Sequence, residues 1–443
     1  MSTCPTDPPP EGNNLAAIFK NRNFTLLWTS QVFGQSAQNA ILFVQMVMVE
    51  GLTRSSGLAG LMVLFYNLPS ILFSLLSGVV IDRFRKKSIL LLCNISRVFV
   101  VAAFILLYRY AQGAGMLTAV YALTFILSTI GQLSDPAESA MVPLLVPPQQ
   151  LLTANSVFHL LFNVAQVLGL LFLAPLALKL GGIEGAFATI SLTYLITALL
   201  LWPISAYEPP PDPRLLQNAL PNLWKELKAG WQFVIAQKSV LMAIGQHALI
   251  TMLTMIIAVL APGFAARVLG MQPIDAIYIF FAAGLGMFLV TLWTSHLGHR
   301  FHREILVVAG LLITGLALLG FTIVAWTSET AANTLAKSSQ RVIMPVIMMA
   351  LALGAGGTLA TVAAQTIVQE RSPIALRGRV ITAEFLFANV VGLIPMLVIS
   401  GLADLIGIPI VLMGLTTVVI VSALLSFRAD YTSKRKLTHV DSR

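Results

Sequence analysis

Gly78-Val-Val-Ile-Asp82-Arg83-Phe84-Arg85-Lys86-Lys87 decides the reading of this chain. Four of its last five residues are basic, and it joins two long apolar runs. Upstream, residues 58–81 carry only Tyr66, Asn67 and three serines as polar breaks; downstream, 88–107 is again mostly apolar. Runs of about 20 apolar residues are long enough to cross the hydrocarbon core as helices. Short loops rich in Lys and Arg stay on the cytoplasmic side. The stretch therefore reads as a basic cytoplasmic hairpin between two membrane spans.

Composition extends that reading to the whole chain. Its 443 residues are 57% hydrophobic and only 10% charged, where soluble proteins carry about 25% charge. The net charge of +9 does not point to nucleic acid, because the basic residues sit mostly in short loops between apolar runs. Cys4 in a polar tail and Cys93 in an apolar run make neither a disulfide framework nor a metal site. The first fourteen residues are polar, Pro-rich and free of Lys and Arg. They are not expected to be a cleavable signal peptide.

Twelve spans are expected, at 25–49, 57–81, 88–109, 115–135, 153–178, 184–206, 239–266, 273–297, 304–326, 342–367, 380–402 and 407–427. The fourth is expected to fray into Asp135-Pro136-Ala137-Glu138, and the tenth carries Gly354-Ala-Gly356-Gly357, read as helix-packing glycines. With both termini inside, 20 of the 27 Lys and Arg face the cytoplasm, 6 face outward, and Arg97 lies within a span. That asymmetry sets the expected orientation.

The domain reading follows. Residues 1–24 form a cytoplasmic tail, 25–206 a first six-helix half, 207–238 a cytoplasmic linker, 239–427 a second half and 428–443 a C-terminal tail. The linker opens with Glu208-Pro-Pro-Pro-Asp-Pro213. Leu216, Leu220, Leu223, Trp224, Leu227 and Trp231 then recur at helical spacing, which suits a helix lying in the interface. Ser295-His-Leu-Gly-His299-Arg300-Phe301-His302-Arg303-Glu304 falls about half a chain after the opening stretch, and Arg300-Phe301 repeats Arg83-Phe84. Parallel six-span halves are a transporter architecture.

The opening stretch resembles the signature between helices two and three of the major facilitator superfamily, roughly G-x-x-x-D-R-x-G-R-R. Gly78, Asp82, Arg83, Lys86 and Lys87 match in place, with Lys for Arg in the last two, while Arg85 stands where the family has its second Gly. Asn21-Arg22-Asn23-Phe24-Thr25-Leu26-Leu27-Trp28, Asp135 through Pro147, Leu152-Thr-Ala-Asn155-Ser156 and Pro373 through Val380 resemble the branch of macrolide efflux proteins and the enterobactin exporter. Lysophospholipid transporters are similar relatives. Of the antiporter motif G-P-x-x-G-G in helix five, only Gly169 and Ala174-Pro175 approach the pattern.

The resemblance implies an all-α membrane fold in two pseudo-symmetric halves. It also implies a cytoplasmic latch of Gly78, Asp82, Arg83, Lys86, Lys87, Asp135 and Glu138. Physically, the N-terminus of helix eleven would attract the Asp82 carboxylate, and Arg83 could pair with Asp135 or Glu138.

Candidate cavity residues are polar side chains within spans. Gln31, Gln35, Gln38 and Gln45 share one face of the first helix, either lining a cavity or bonding to other helices. Asn155, His159, Asn163 and Gln166 make a second stripe. His247, Thr251 and Thr254, with Thr361, Gln365 and Asn389, complete the set. His159 and His247 read as proton carriers or as hydrogen-bonded packing residues. Arg97 is a basic residue inside a span, read either as structural, with a carboxylate on helix four, or as a contact for an anionic head group. No carboxylate is expected deep in a span. Glu384, Asp135 and Glu138 are best placed for a proton, with Glu184, Asp275 and Glu304 at other span ends.

Enzyme chemistry is not indicated. There is no G-x-x-x-x-G-K-[ST] loop. His296, His299 and His302 sit in a basic loop that serves topology, and no cofactor or metal is implied. The expected function is secondary transport, with export of small amphipathic molecules by alternating access, protons being a candidate coupling ion. Lysophospholipid movement, uniport and a non-transporting sensor or scaffold stand as alternatives. The expected partners are the lipid bilayer and a small substrate, and the expected form is a monomer in a bacterial cytoplasmic membrane.

Overall fold

The computed structural model describes residues 20–111, 113–147, 150–205, 228, 231–297, 301–331, 339–373 and 377–440. Among the described residues every regular element is helical. The long helices are α1 (Arg22–Thr53), α2 (Ser56–Arg83), α3 (Lys86–Tyr110), α4 (Ala114–Leu145), α5 (Leu151–Leu168) and α6 (Ala174–Leu201). They continue with α7 (Lys238–Gly263), α8 (Ile277–Leu297), α9 (Arg303–Ala331), α10 (Ser339–Arg371), α11 (Arg377–Ile406) and α12 (Ile408–Val440). A π turn, Gly169–Leu173, joins α5 to α6, and a second, Phe264–Val268, follows α7.

Among the described residues, eleven helical stretches are long and apolar enough to cross a membrane. One of them, Val164–Leu201, runs for 38 residues, about 57 Å of helix against a core of about 30 Å. Gly182 divides it with φ 62° and ψ −160°, a conformation open to glycine at little cost. That break lies between the fifth and sixth spans expected from sequence.

Helix ends depart from the expected spans. The opening stretch is almost wholly helical, and only Phe84-Arg85 bridges α2 and α3. Arg85 has φ −62° and ψ 122°, which any residue adopts, so the family's glycine is not needed there. At the fourth span the expected fray does not occur. α4 continues through Pro136 and Pro143 to Leu145, and Ala137 and Glu138 are buried. Proline is tolerated in membrane helices because neighbouring groups satisfy the freed carbonyls. α1 reaches Thr53 and α11 reaches Ile406, each several residues past its apolar run. The expected linker pattern at 216–227 lies outside the described residues, as do the first nineteen residues, Arg300 and His299.

The chain divides into two compact units. One comprises Met1–Val44 with Leu68–Leu216, the other Gln45–Asn67 with Gln217–Arg443. In the first unit, the Asn21 side chain caps α1 by accepting from the N–H of Asn23 (3.1 Å) and Phe24 (3.2 Å). Its amide donates to Leu145 O at 2.6 Å, and Asn23 donates to Ser205 O at 2.8 Å. These bonds tie the start of α1 to the ends of α4 and α6. Phe24, Leu27, Leu90, Met141 and Leu201 fill the core beside them. Phe104 of α3 stacks on Phe187 of α6 with centroids 5.1 Å apart.

In the second unit, small residues set the helix approach. A Cβ at Gly354 of α10 would collide with the Ala283 carbonyl of α8, so this glycine permits the close crossing expected of it. At the ends of α9 and α10, Arg303 pairs with Glu370 at 3.4 Å and Arg371 pairs with Glu304.

Candidate functional site

The second unit brings three candidates together from three helices. His247 of α7 places Nδ1 2.8 Å from Oε1 of Glu384 on α11. Its other ring nitrogen lies 3.4 Å from Nε2 of Gln365 on α10. Glu384 is 4% exposed, so its carboxylate is largely cut off from water. A buried charge needs a partner, and the imidazole supplies one when protonated.

A cavity of about 430 Å³ opens beside this pair. His247, Thr251, Thr254 and Thr361 line it, with Ile250, Leu253, Met255, Phe280 and Met287 among its apolar walls. Thr251 donates its hydroxyl proton to His247 O (3.0 Å), and Thr254 donates to Ile250 O (2.9 Å). Both hydroxyls are thus spent on their own helix and offer the cavity acceptor lone pairs. His247 is the titratable group on this lining. Such a space, apolar with a few convergent polar groups, has the make-up of a small-molecule site.

The first unit holds a second polar cluster. Arg97 of α3 is 3% exposed. It donates from Nη2 to Gln38 Oε1 at 3.0 Å, lies 4.0 Å from Asp135 Oδ1 and stands 5.3 Å over the Tyr194 ring. Asp135 accepts from Gln35 at 3.2 Å, and Glu138 is buried one turn on. Gln35 and Gln38 therefore bond to other helices, one of the two roles open to the glutamine face. Arg97 faces the helix-four carboxylate. Gln31 and Gln45 are also buried.

The remaining candidates are dispersed. Gln166 is exposed, while Asn389, Lys86 and Lys87 are half-buried. Gly78, Asp82, Arg83, Asn155, His159 and Asn163 lie outside the described side chains. The proposed pairing of Arg83 with Asp135 or Glu138 falls there too.

Sequence reasoning missed Glu50, Arg267 and Asp404. Each lies one or two residues past an expected span, and none stands among the expected site residues. Glu50 is 1% exposed within α1, and Arg267 pairs with both Glu50 and Asp404. Opposite charges at the ends of three spans were the available signal.

Comparison with known proteins agrees with this architecture. The family profile of the Major Facilitator Superfamily matches residues 27–392. The "Uncharacterized MFS-type transporter YkuC" of Bacillus subtilis (strain 168) is 26% identical over 185 residues, 42% of each chain. YjbB of the same organism, also described as an uncharacterized MFS-type transporter, is 32% identical over 143 residues, 32% of this chain and 34% of its own. The chain thus matches less than half the length of these curated relatives. The crystal structure of the nucleoside transporter NupG superposes with a TM-score of 0.69 at 11% identity, covering 92% of this chain and 98% of that one. A bacterial homolog of the human lysosomal transporter Spinster gives 0.65 at 15% identity, covering 94% and 97%. These two likenesses concern the fold alone. With a helical fold of membrane-spanning length and a family match over most of its residues, this chain is a multi-pass membrane protein that belongs to the Major Facilitator Superfamily.

Proposed function

We propose that this protein is a proton-coupled exporter of small amphipathic molecules, with its substrate held in the cavity beside His247 and its proton on the His247–Glu384 pair. The observation that carries this reading is the pair itself, a buried acid at 2.8 Å from an imidazole on the wall of a largely apolar space. Apolar walls favour a hydrophobic body. His247, the titratable group among the described lining residues, favours a substrate with one basic or polar end.

Coupling follows from competition. A cationic substrate and a proton on His247 repel one another, so each lowers the other's occupancy of the site. Alternating access then exchanges them across the membrane. The resemblance to the macrolide-efflux branch supports the outward direction, and the 20-to-6 distribution of basic residues supports cytoplasmic termini. The bacterial relatives support placement in a cytoplasmic membrane.

Flux in proteoliposomes tests the reading. Fluorescent amphipathic amines and lysophospholipids are offered with and without an imposed pH gradient. Gradient-driven amine movement supports it, and movement of neither class under any condition sinks it.

A further inference from the structure

At the start of α2, one cation is shared unequally between two carboxylates. Arg267 sits in the π turn after α7, Asp404 in the last turn of α11 and Glu50 near the end of α1. Arg267 donates from Nη1 to Asp404 Oδ1 at 2.8 Å and from Nη2 to Ser56 Oγ. Its Nε comes only within 3.4 Å of Glu50 Oε1.

Asp404 is richly served. Besides Arg267 it accepts from Ser55 Oγ (2.6 Å), Ser56 N–H (2.9 Å) and Gly57 N–H (2.8 Å), at the helix end where anions are favoured. Glu50 is not. It is 1% exposed, and neither carboxylate oxygen has a hydrogen-bond donor. Among the described residues, the charges facing it are Arg267, in the π turn after α7, and Asp404 of α11, the second of like sign. Arg54, in the connection to α2, is exposed. An ionised carboxylate in such a place must either capture a donor or take up a proton.

The surroundings leave room for Arg267 to choose. A Cβ at Gly263 would lie 2.5 Å from Arg267 Nη2 and 3.1 Å from Glu50 Oε1. The bare glycine, one turn before Arg267, is what lets the guanidinium fold back between the two acids. The π turn that presents it is a feature found often at functional sites.

We propose that Glu50 is a second proton-binding site of the transport cycle, distinct from the His247–Glu384 pair, and that its proton decides which acid holds Arg267. With Glu50 protonated, Arg267 belongs to Asp404 and fastens α7 and α11 to the start of α2. When Glu50 releases its proton to water, the new carboxylate draws Arg267 away and that fastening loosens. No other reactant takes part. This proposal rests on the transporter reading only for its place in a cycle.

Infrared difference spectroscopy of the purified full-length protein tests the protonation without any transport substrate. A protonated-carboxyl stretch is expected to vanish in Glu50→Gln. It is also expected to vanish in Asp404→Asn, where Arg267 is free to turn and Glu50 ionises. A spectrum unchanged in both variants overturns the site. Flux then tests the coupling: Glu50→Gln is expected to lose about tenfold of the acceleration produced by an imposed pH gradient while substrate exchange without a gradient continues. Full acceleration in Glu50→Gln overturns the coupling. Because the spectrum needs no substrate, its outcome is separable from failure of the exporter reading, in which wild type itself moves no probe. If Glu50→Gln does not fold, the Asp404→Asn spectrum alone decides, with a retained band overturning the proposal.

Discussion

His247 on α7 and Glu384 on α11 face each other at 2.8 Å on the side of a cavity of about 430 Å³, with Gln365 of α10 3.4 Å from the other ring nitrogen of the imidazole. A 2.8 Å approach between an imidazole and a buried carboxylate predicts that the two side chains do not contribute independently. In a double-mutant cycle on melting temperature, His247→Ala and Glu384→Gln should each cost about 2 kcal/mol, and the double variant should cost little more than either. Full additivity would mean that the two side chains do not interact.

The cavity has a size limit that can be approached from one wall. Thr251→Phe adds a ring beside His247 while its helix position is kept. Amphipathic-amine flux should fall by about tenfold, equivalent to about 1.4 kcal/mol, with melting changed far less. Equal flux in wild type and variant would place the substrate elsewhere.

Arg97 should matter for stability. It bonds Gln38, faces Asp135 and lies over Tyr194. Removing it leaves the Asp135 carboxylate with Gln35 and a buried Glu138 nearby. Losing the charge-assisted bond to Gln38 and the ring contact, Arg97→Ala should destabilise by about 2 kcal/mol. Arg97→Lys should recover only part of that, because an ammonium reproduces neither the fork nor the ring contact. Fluorescence-monitored thermal unfolding in detergent reads both.

The pairs at the ends of α9 and α10 should behave in the opposite way. Glu370 is more than half exposed, and Arg371 is 39% exposed. Arg303→Ala should change stability by less than about 1 kcal/mol, and added salt should shrink the effect further. A larger loss in the same unfolding assay would show a buried role for Arg303.

Much of the fold was legible because apolar runs of spanning length are a direct reading of hydrocarbon thickness. The helix ends were not, since hydropathy stops at the first polar residue while a helix continues wherever a neighbour satisfies it. Glu50, Asp404 and the Asp135-to-Glu138 turn all fall in that margin. For the site, residue type was informative. A His, a Gln and a Glu inside apolar helices each stood out alone. Their meeting did not, because His247 and Gln365 are 118 residues apart, and no local pattern encodes which helix faces which. The glutamine face of α1 shows the same limit. Its spacing gave a shared side, whereas the Arg97–Asp135 network that two of its members join depends on α3 and α4.

The most direct measurement is amphipathic-amine flux driven by an imposed pH gradient, compared between wild type and Glu384→Gln in the same proteoliposome preparation. The account predicts gradient-driven movement by wild type and, in Glu384→Gln, movement no faster than without a gradient. Equal gradient-driven flux in both, or lysophospholipid movement indifferent to the gradient, would contradict it.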